Sequence, residues 1–284
     1  MLRKLLLLVC LLPCFMQAQS FKIWSNSGVV SHKKIATTLS VYHPLKELNN
    51  HSVVVICPGG SYYYHAIERE SDAVAQWLQN LGFTACVLRY RVGISGAHHP
   101  DMIEDLQRSI QLVRDSATCW NIAPNQVGVM GFSAGGHLVG MSTILGGDYL
   151  SPLGMVPQVS LQPDFCVMVY PVVTMQEPFV HKKSRYNLLR KGATSVDIQR
   201  AFSLEQQVKS DMPPILLVQA KDDKTVMYQN SVMLNQALDK VNASHKFILY
   251  KTGGHGFCVE FDPNTDMYQW MSDFEQWYKS LTFK

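Results

Sequence analysis

Charge is scarce in this chain. Only 17% of its 284 residues are charged, and 25 Lys+Arg against 22 Asp+Glu leave a formal net charge of +3. So small a bias makes no field that would gather a phosphate backbone or an anionic bilayer, which argues against nucleic-acid and membrane-surface partners. Metal-site spacings are missing too: neither C-x-x-C nor H-E-x-x-H occurs, so no metal and no cofactor is expected. Internal repeats and low-complexity tracts are absent, which excludes solenoids and disordered arrays. What remains is an ordinary globular composition, 47% hydrophobic, enough for one large domain with a sizeable core.

The amino terminus is set apart. Arg3 and Lys4 form a short basic region, and Leu5 to Met16 is an apolar run too short to span a bilayer comfortably. Residues 1–20 therefore read as an export leader, cleaved after Ala18 or after Ser20, with residues 21–284 as a single domain. Periplasmic or extracellular localisation follows, without stable membrane insertion once the leader is gone. Leu12-Pro13 ahead of Cys14 lacks the small residues of a lipoprotein site. Cys10 and Cys14 leave with the leader, so Cys57, Cys86, Cys119, Cys166 and Cys258 remain. Three of these sit in apolar strand-like runs, where a thiol packs as a small hydrophobe. One disulfide is compatible with an odd count, but spacing does not select it.

The mature chain alternates strands and helices. Ser52–Cys57 is apolar throughout, as in a strand covered on both faces. Ser71–Leu81 carries Ala73, Val74, Trp77 and Leu78 at helical spacing, and Gly82 stops it. Phe83–Tyr90, Val127–Met130, Asp164–Val173, Pro214–Ala220 and Lys246–Tyr250 read as further strands; Met102 to Val113, Val232–Leu238 and Met267 to Leu281 read as helices. That rhythm predicts a mostly parallel central sheet with helices on both faces. The pattern loosens near 146–163 and 175–212. Both excursions are expected beyond the carboxyl ends of strands, as a small partial cap.

The chemistry centres on Gly131-Phe132-Ser133-Ala134-Gly135, G-x-S-x-G between a strand and a helix. That turn lifts a serine hydroxyl above the sheet edge and aims the Ala134 N–H at a developing oxyanion. A serine alcohol needs a base, and the base needs a group to orient it. His255, in Gly253-Gly254-His255-Gly256-Phe257 after a strand, is the base candidate; His137 reads as a helix-face residue, while His98 and His99 at most touch substrate. The acid comes from Asp222-Asp223 at the end of an apolar strand. Adjacent side chains leave a strand in opposite directions, so the two cannot both face His255. Gly60 and Ser61, in Pro58-Gly59-Gly60-Ser61, are the second source of oxyanion donors. Tyr62, Tyr63 and Tyr64 follow directly and are candidate substrate contacts, since aromatic faces suit sugar rings.

Taken together, Pro58-Gly59-Gly60-Ser61-Tyr62, Leu88-Arg89-Tyr90-Arg91, Asp105-Leu106-Gln107-Arg108, Gly131 to Leu138, Pro213-Pro214, Asp222-Asp223 and Gly253 to Phe257 resemble the α/β-hydrolase superfamily. Within it the chain resembles the exported bacterial esterase-lipase branch that includes acetyl-xylan-esterase-like carbohydrate esterases, over roughly residues 35 to 280. Pro58 stands where that family often has histidine, and Ser61 where it has a third glycine. The resemblance implies the α/β-hydrolase fold and a serine hydrolase acting through an acyl-enzyme on short-chain carboxylic esters, deacetylating carbohydrates. It also implies Asp223 as the acid, which Val226 follows three residues later. A prolyl-oligopeptidase-type peptidase shares fold and triad, but usually with a large extra domain. A non-catalytic binding protein on the same fold is the remaining alternative. Glycosidase chemistry would need two facing carboxylates, which these motifs do not supply.

Overall fold

The computed structural model describes residues 18–25, 37–257 and 268–283; residues 1–17 of the leader and Cys258 fall outside the described residues. An eight-stranded sheet has the order β1-β2-β4-β3-β5-β6-β7-β8. Its strands are β1 (Gln19–Lys22), β2 (Thr38–Tyr42), β3 (Val53–Cys57), β4 (Thr84–Arg89), β5 (Val127–Phe132), β6 (Phe165–Val169), β7 (Ile215–Ala220) and β8 (His245–Tyr250). β1 and β2 run antiparallel to their neighbours, and every pairing from β4 to β8 is parallel. The fold is therefore the α/β class read from the sequence.

Both faces of the sheet are covered, and this is why its strands are apolar without alternation. Val53, Val55 and Cys57 of β3 join one core, with Leu106 and Ile110 of helix α3 (Asp101–Asp115). Val54 and Ile56 join the other, with Val74 and Leu78 of α2 (Asp72–Asn80) and Phe274 of α9 (Gln269–Lys279). The short α1 (Ile67–Glu70) precedes α2, α4 (Ala117–Trp120) follows α3, and α8 (Gln229–Lys240) lies between β7 and β8. Cys57, Cys86 and Cys166 are buried free thiols and Cys119 an exposed one.

Two sequence motifs meet inside the first core. Arg91, just beyond β4, is 2% exposed and binds Asp101, Glu104 and Asp105 at the start of α3. Asp105 also accepts the Trp24 indole N–H at 2.7 Å. The Arg-Tyr-Arg and Asp-Leu-Gln-Arg pieces are thus the two halves of one buried ionic cluster.

Gln19 and Ser20, which fall in the leader only if cleavage follows Ser20, pair with Val41 and Ser40 at the sheet edge. Two expectations need correction. The strand expected over Asp164–Val173 stops at Val169, because Tyr170 takes φ 37° and turns the chain. The 146–163 excursion leaves the helix that follows Ser133 and returns at Asp164, whose N–H meets the Val127 carbonyl at 2.8 Å at the beginning of β5. A helix after such a turn runs back against its strand, so this segment belongs to the opposite edge from Ser133. Its residues Gly147 and Tyr149 are held by Gln107 of α3. The 175–212 excursion does start beyond the carboxyl end of β6 and contains α6 (Lys182–Leu189) and α7 (Val196–Ala201).

Candidate active site

Strand order reverses at β3, whose neighbours are β4 and β5. Loops leaving the carboxyl ends of β3 and β5 must then diverge, and the crevice between them is where such sheets bind ligands. Here those loops are Pro58–Tyr64 and the turn at Ser133.

Ser133 has φ 55° and ψ −117°, a strained conformation for a residue with a side chain. It is fixed on both sides: its N–H donates to the Val169 carbonyl and its carbonyl accepts from Val172, each at 3.0 Å. Helix α5 (Ala134–Gly140) starts immediately after it. A Cβ on Gly135 would lie 2.1 Å from the Cys57 carbonyl oxygen, and one on Gly131 would lie 2.2 Å from that of Gly135. The motif's glycines are therefore required by the close approach of backbone to backbone.

Three candidate residues come together. His255 Nε2 lies 3.0 Å from Ser133 Oγ, and His255 Nδ1 lies 2.7 Å from Asp223 Oδ2. Asp223 is 5% exposed and also accepts the Thr225 and Val226 N–H groups at 2.8 and 2.9 Å and the Gln219 amide at 3.0 Å. A carboxylate so surrounded by donors is fixed in place as an acceptor for Nδ1–H. Asp222 is exposed and turns away, accepting the Gly254 N–H at 2.8 Å.

The N–H groups of Gly60, Ser61 and Ala134 donate to no protein acceptor among the described residues. Ser61 and Tyr62 have φ 58° and 60°, which explains why glycine is usual in this loop. The Ser61 carbonyl accepts the Asn187 amide from α6 at 2.9 Å, so the cap holds this loop.

The three tyrosines separate. Tyr62 is fully buried, and its hydroxyl pairs with His137 Nδ1 at 2.9 Å. It is scaffold, and the reading of Tyr62 as a substrate contact is corrected. His137 does lie on the helix after Ser133, on a buried face: it is fully buried, its Nε2 faces the Phe202 carbonyl at 2.9 Å, and burial pulls its pKa down to about 4. Tyr63 and Tyr64 are 40% and 49% exposed, with Lys183 Nζ of the cap 5.6 and 5.7 Å from their ring centroids. His99 packs between the rings of Tyr149 and Phe202. Sequence reasoning missed Glu70, Asn187 and Gln219, which hold the loops. Each is a lone polar residue with no motif around it.

A doubly covered, mostly parallel sheet carrying Ser, Asp and His on the loops after β5, β7 and β8 defines an α/β-hydrolase. Within that class, residues 39–238 match the BD-FAE family model, and the chain belongs to that family. It is 32% identical over 207 residues to an acetylxylan esterase of Xylanibacter ruminicola, covering 72% of this chain and 40% of that one. It is 30% identical over 211 residues to endo-1,4-beta-xylanase B of Butyrivibrio fibrisolvens, covering 74% of this chain and 33% of the other. The matched stretch thus spans only 40% and 33% of the length of these two relatives. The crystal structure of an acetyl ester-xyloside bifunctional hydrolase from Caldicellulosiruptor lactoaceticus superposes with a TM-score of 0.80 at 31% identity, covering 93% of this chain and 96% of that one. A Thermogutta terrifontis esterase with propionate bound shares the fold, with a TM-score of 0.75 at 20% identity and coverage of 94% of each chain. Among the described residues no helix is long and apolar enough to cross a membrane.

Proposed function

We propose that the chain is a carboxylic ester hydrolase that removes short acyl groups, acetyl above all, from carbohydrates. The observation that carries this reading is the hydrogen-bonded chain from Ser133 through His255 to Asp223, beside three backbone N–H groups without protein acceptors among the described residues.

His255 Nε2 takes the Ser133 proton as Oγ attacks the ester carbonyl. Asp223 holds Nδ1–H and balances the imidazolium that forms. The oxyanion lies against the N–H groups of Ala134 and of Gly60 or Ser61. His255 then returns the proton to the leaving alkoxide. A water then attacks the acyl carbon and gives a proton to the same nitrogen; the bond to Ser133 Oγ breaks, Oγ takes that proton back from His255, and the acid leaves. Tyr63 and Tyr64 offer exposed rings on which a sugar can rest, beside the Lys183 ammonium. The relatives named for acetylxylan and acetyl ester-xyloside support that substrate class.

The cap also argues against long acyl chains. It carries His181, Lys182, Lys183 and Arg185. Each methylene buried in a good apolar channel would contribute about 0.8 kcal/mol, so an enzyme with such a channel would prefer long chains steeply. Turnover of an ester series from acetate to decanoate, with acetylated xylo-oligosaccharides alongside, tests the proposal. Acetate should be best, with efficiency falling by about six carbons. A preference for eight carbons or more would overturn the carbohydrate reading, and peptide cleavage at comparable rates would favour a peptidase.

Export belongs to the same proposal. Cleavage after Ala18 would leave β1 whole, whereas cleavage after Ser20 would remove two of its residues, Gln19 and Ser20. Amino-terminal sequencing of the secreted protein should begin at Gln19; a start at Phe21 would contradict this.

A further inference from the structure

Beneath the candidate site lies a carboxylate that the steps above do not use. Glu70, at the end of α1, is 4% exposed. Its Oε2 accepts the Gly59 N–H at 2.6 Å, and its Oε1 accepts the Tyr170 hydroxyl at 2.9 Å. Both partners lead to the reacting groups. Gly59 begins the loop that carries Gly60 and Ser61, and a Cβ built on it would sit 2.9 Å from Ser133 Cβ. The Tyr170 ring packs on the His255 imidazole with centroids 4.7 Å apart, and Phe257 lies against the same tyrosine at 4.9 Å.

We infer that Glu70 is a positioning residue for ester hydrolysis: from below the site it fixes the oxyanion loop through Gly59 and supplies negative charge beneath His255 through Tyr170. The inference rests on the serine-hydrolase reading and deepens it.

The chemistry requires charge at this place. When Ser133 gives up its proton, His255 becomes a cation in a site from which much water is excluded. Asp223 balances that charge from the Nδ1 side. Glu70 adds a second carboxylate on another side, and it is held as an acceptor. Both of its described hydrogen bonds come from donors, and these favour the ionised form. Burial leaves the Glu70 carboxyl above the ordinary carboxylate range, with the Gly59 N–H, the Tyr170 hydroxyl and the charge of His255 offsetting part of that rise. Tyr90, its hydroxyl on the Pro58 carbonyl at 2.6 Å, interacts with Glu70, and its own pKa is raised well above the ordinary value, mainly by burial. His181 of the cap interacts with His255 and Asp223, and burial lowers its pKa. Tyr62 and Cys57, both fully buried, stay neutral across the working range.

The test uses the full chain and an aryl acetate, with kcat and KM measured from pH 5 to 9. Glu70→Gln keeps the shape and an amide oxygen for the Gly59 N–H but removes the charge. We expect kcat to fall about tenfold or more with KM within about twofold, and the acid limb of the kcat/KM profile to move to lower pH, since His255 loses a neighbour that favours its cation. Tyr170→Phe removes one donor from the carboxylate, which then protonates at higher pH. Its acid limb should move the other way, to higher pH, and steepen. This second variant decides the matter if Glu70→Gln fails to fold. An acid limb that stays in place in a folded Glu70→Gln protein, or in Tyr170→Phe, overturns the inference. The serine-hydrolase reading has its own control: a fluorophosphonate must label Ser133 in the wild type. Labelling with an unmoved acid limb sinks only the role of Glu70, whereas absent labelling sinks the reading beneath it.

Discussion

Asp222 and Asp223 leave the end of β7 on opposite sides and hold the same loop from both. Asp223 accepts from the His255 ring at 2.7 Å, and Asp222 accepts the Gly254 N–H one residue earlier at 2.8 Å. One carboxylate orients the imidazole; the other steadies the backbone that carries it.

The two aspartates should therefore differ sharply on mutation. Asp223→Asn keeps the shape but presents an amide where Nδ1–H needs an acceptor, and kcat on an aryl acetate should drop by about three to four orders of magnitude. Asn at position 222 still offers an oxygen to Gly254, so Asp222→Asn should stay within about tenfold of wild type. Steady-state kinetics on both folded variants settles the order, and the reverse ranking would overturn the assignment of the acid.

That pair also shows what the sequence made legible. Asp223 was separable from Asp222 by the pattern of the resembling family, since Val226 follows it three residues later; both aspartates lie in the turn beyond β7, where strand alternation does not apply. Ser133 and His255 were legible because tight turns beside a reactive group demand glycine, and glycine leaves a visible pattern. The apolar strands announced a sheet covered on both faces. Tyr62 failed because a tyrosine after a loop looks the same whether its ring faces solvent or His137. Glu70 and Asn187 failed because they act through single long-range hydrogen bonds, to Gly59 and Ser61 respectively. Such a bond needs only one residue at each end and imposes no spacing. The 146–163 segment failed because composition marks irregular chain but not the edge of the sheet on which it lies.

Arg91 should be among the costliest side chains to remove. It binds three carboxylates at 1% side-chain exposure, and Asp105 opposite is fully buried. Arg91→Met would strand those charges, and the loss should be about 3–5 kcal/mol in urea unfolding. Replacing both partners, as Arg91→Met with Asp105→Leu, should recover part of it, because the unpaired charge goes too. A single-variant loss under about 1 kcal/mol would show that the cluster contributes little.

Acid should destabilise the fold partly through His137. Burial, aided by the nearby His99, brings its pKa down to about 4 from 6.5, against the raising effect of the Phe202 carbonyl. Between those values the unfolded chain binds a proton that the folded chain refuses. The associated stability is thus fully present above pH 6.5 and is lost as pH falls toward 4. The shift corresponds to about 3 kcal/mol. His65 acts in the same direction: burial and then Arg89 lower its pKa to about 4. Unfolding free energies at pH 7 and 4.5 should differ less in His137→Gln than in wild type. An equal difference in both proteins would remove His137 from the acid response.

Gly60 and Ser61 give the sharpest test of the oxyanion loop, because adjacent residues should respond in opposite ways. Gly60 has φ 116°, and a Cβ there would lie 2.0 Å from the Tyr64 carbonyl oxygen. That oxygen belongs to the turn in which the Tyr63 and Tyr64 N–H groups both reach back to the Gly60 carbonyl. Gly60→Ala must open the turn and swing the Gly60 and Ser61 N–H groups off the oxyanion, and losing one such donor costs about 100- to 1,000-fold in kcat. Ser61 stands where the resembling family has glycine, at φ 58°. A left-handed serine costs about 1–2 kcal/mol of backbone strain, while a glycine loses about 0.5–1 kcal/mol more entropy on ordering. Ser61→Gly should then change stability by less than about 1 kcal/mol and leave kcat within about threefold. In the proposed mechanism its N–H is the group that meets the oxyanion, and glycine keeps it. Loss of activity in Ser61→Gly comparable to that in Gly60→Ala would mean that the serine hydroxyl itself takes part, and the loop would need a different account.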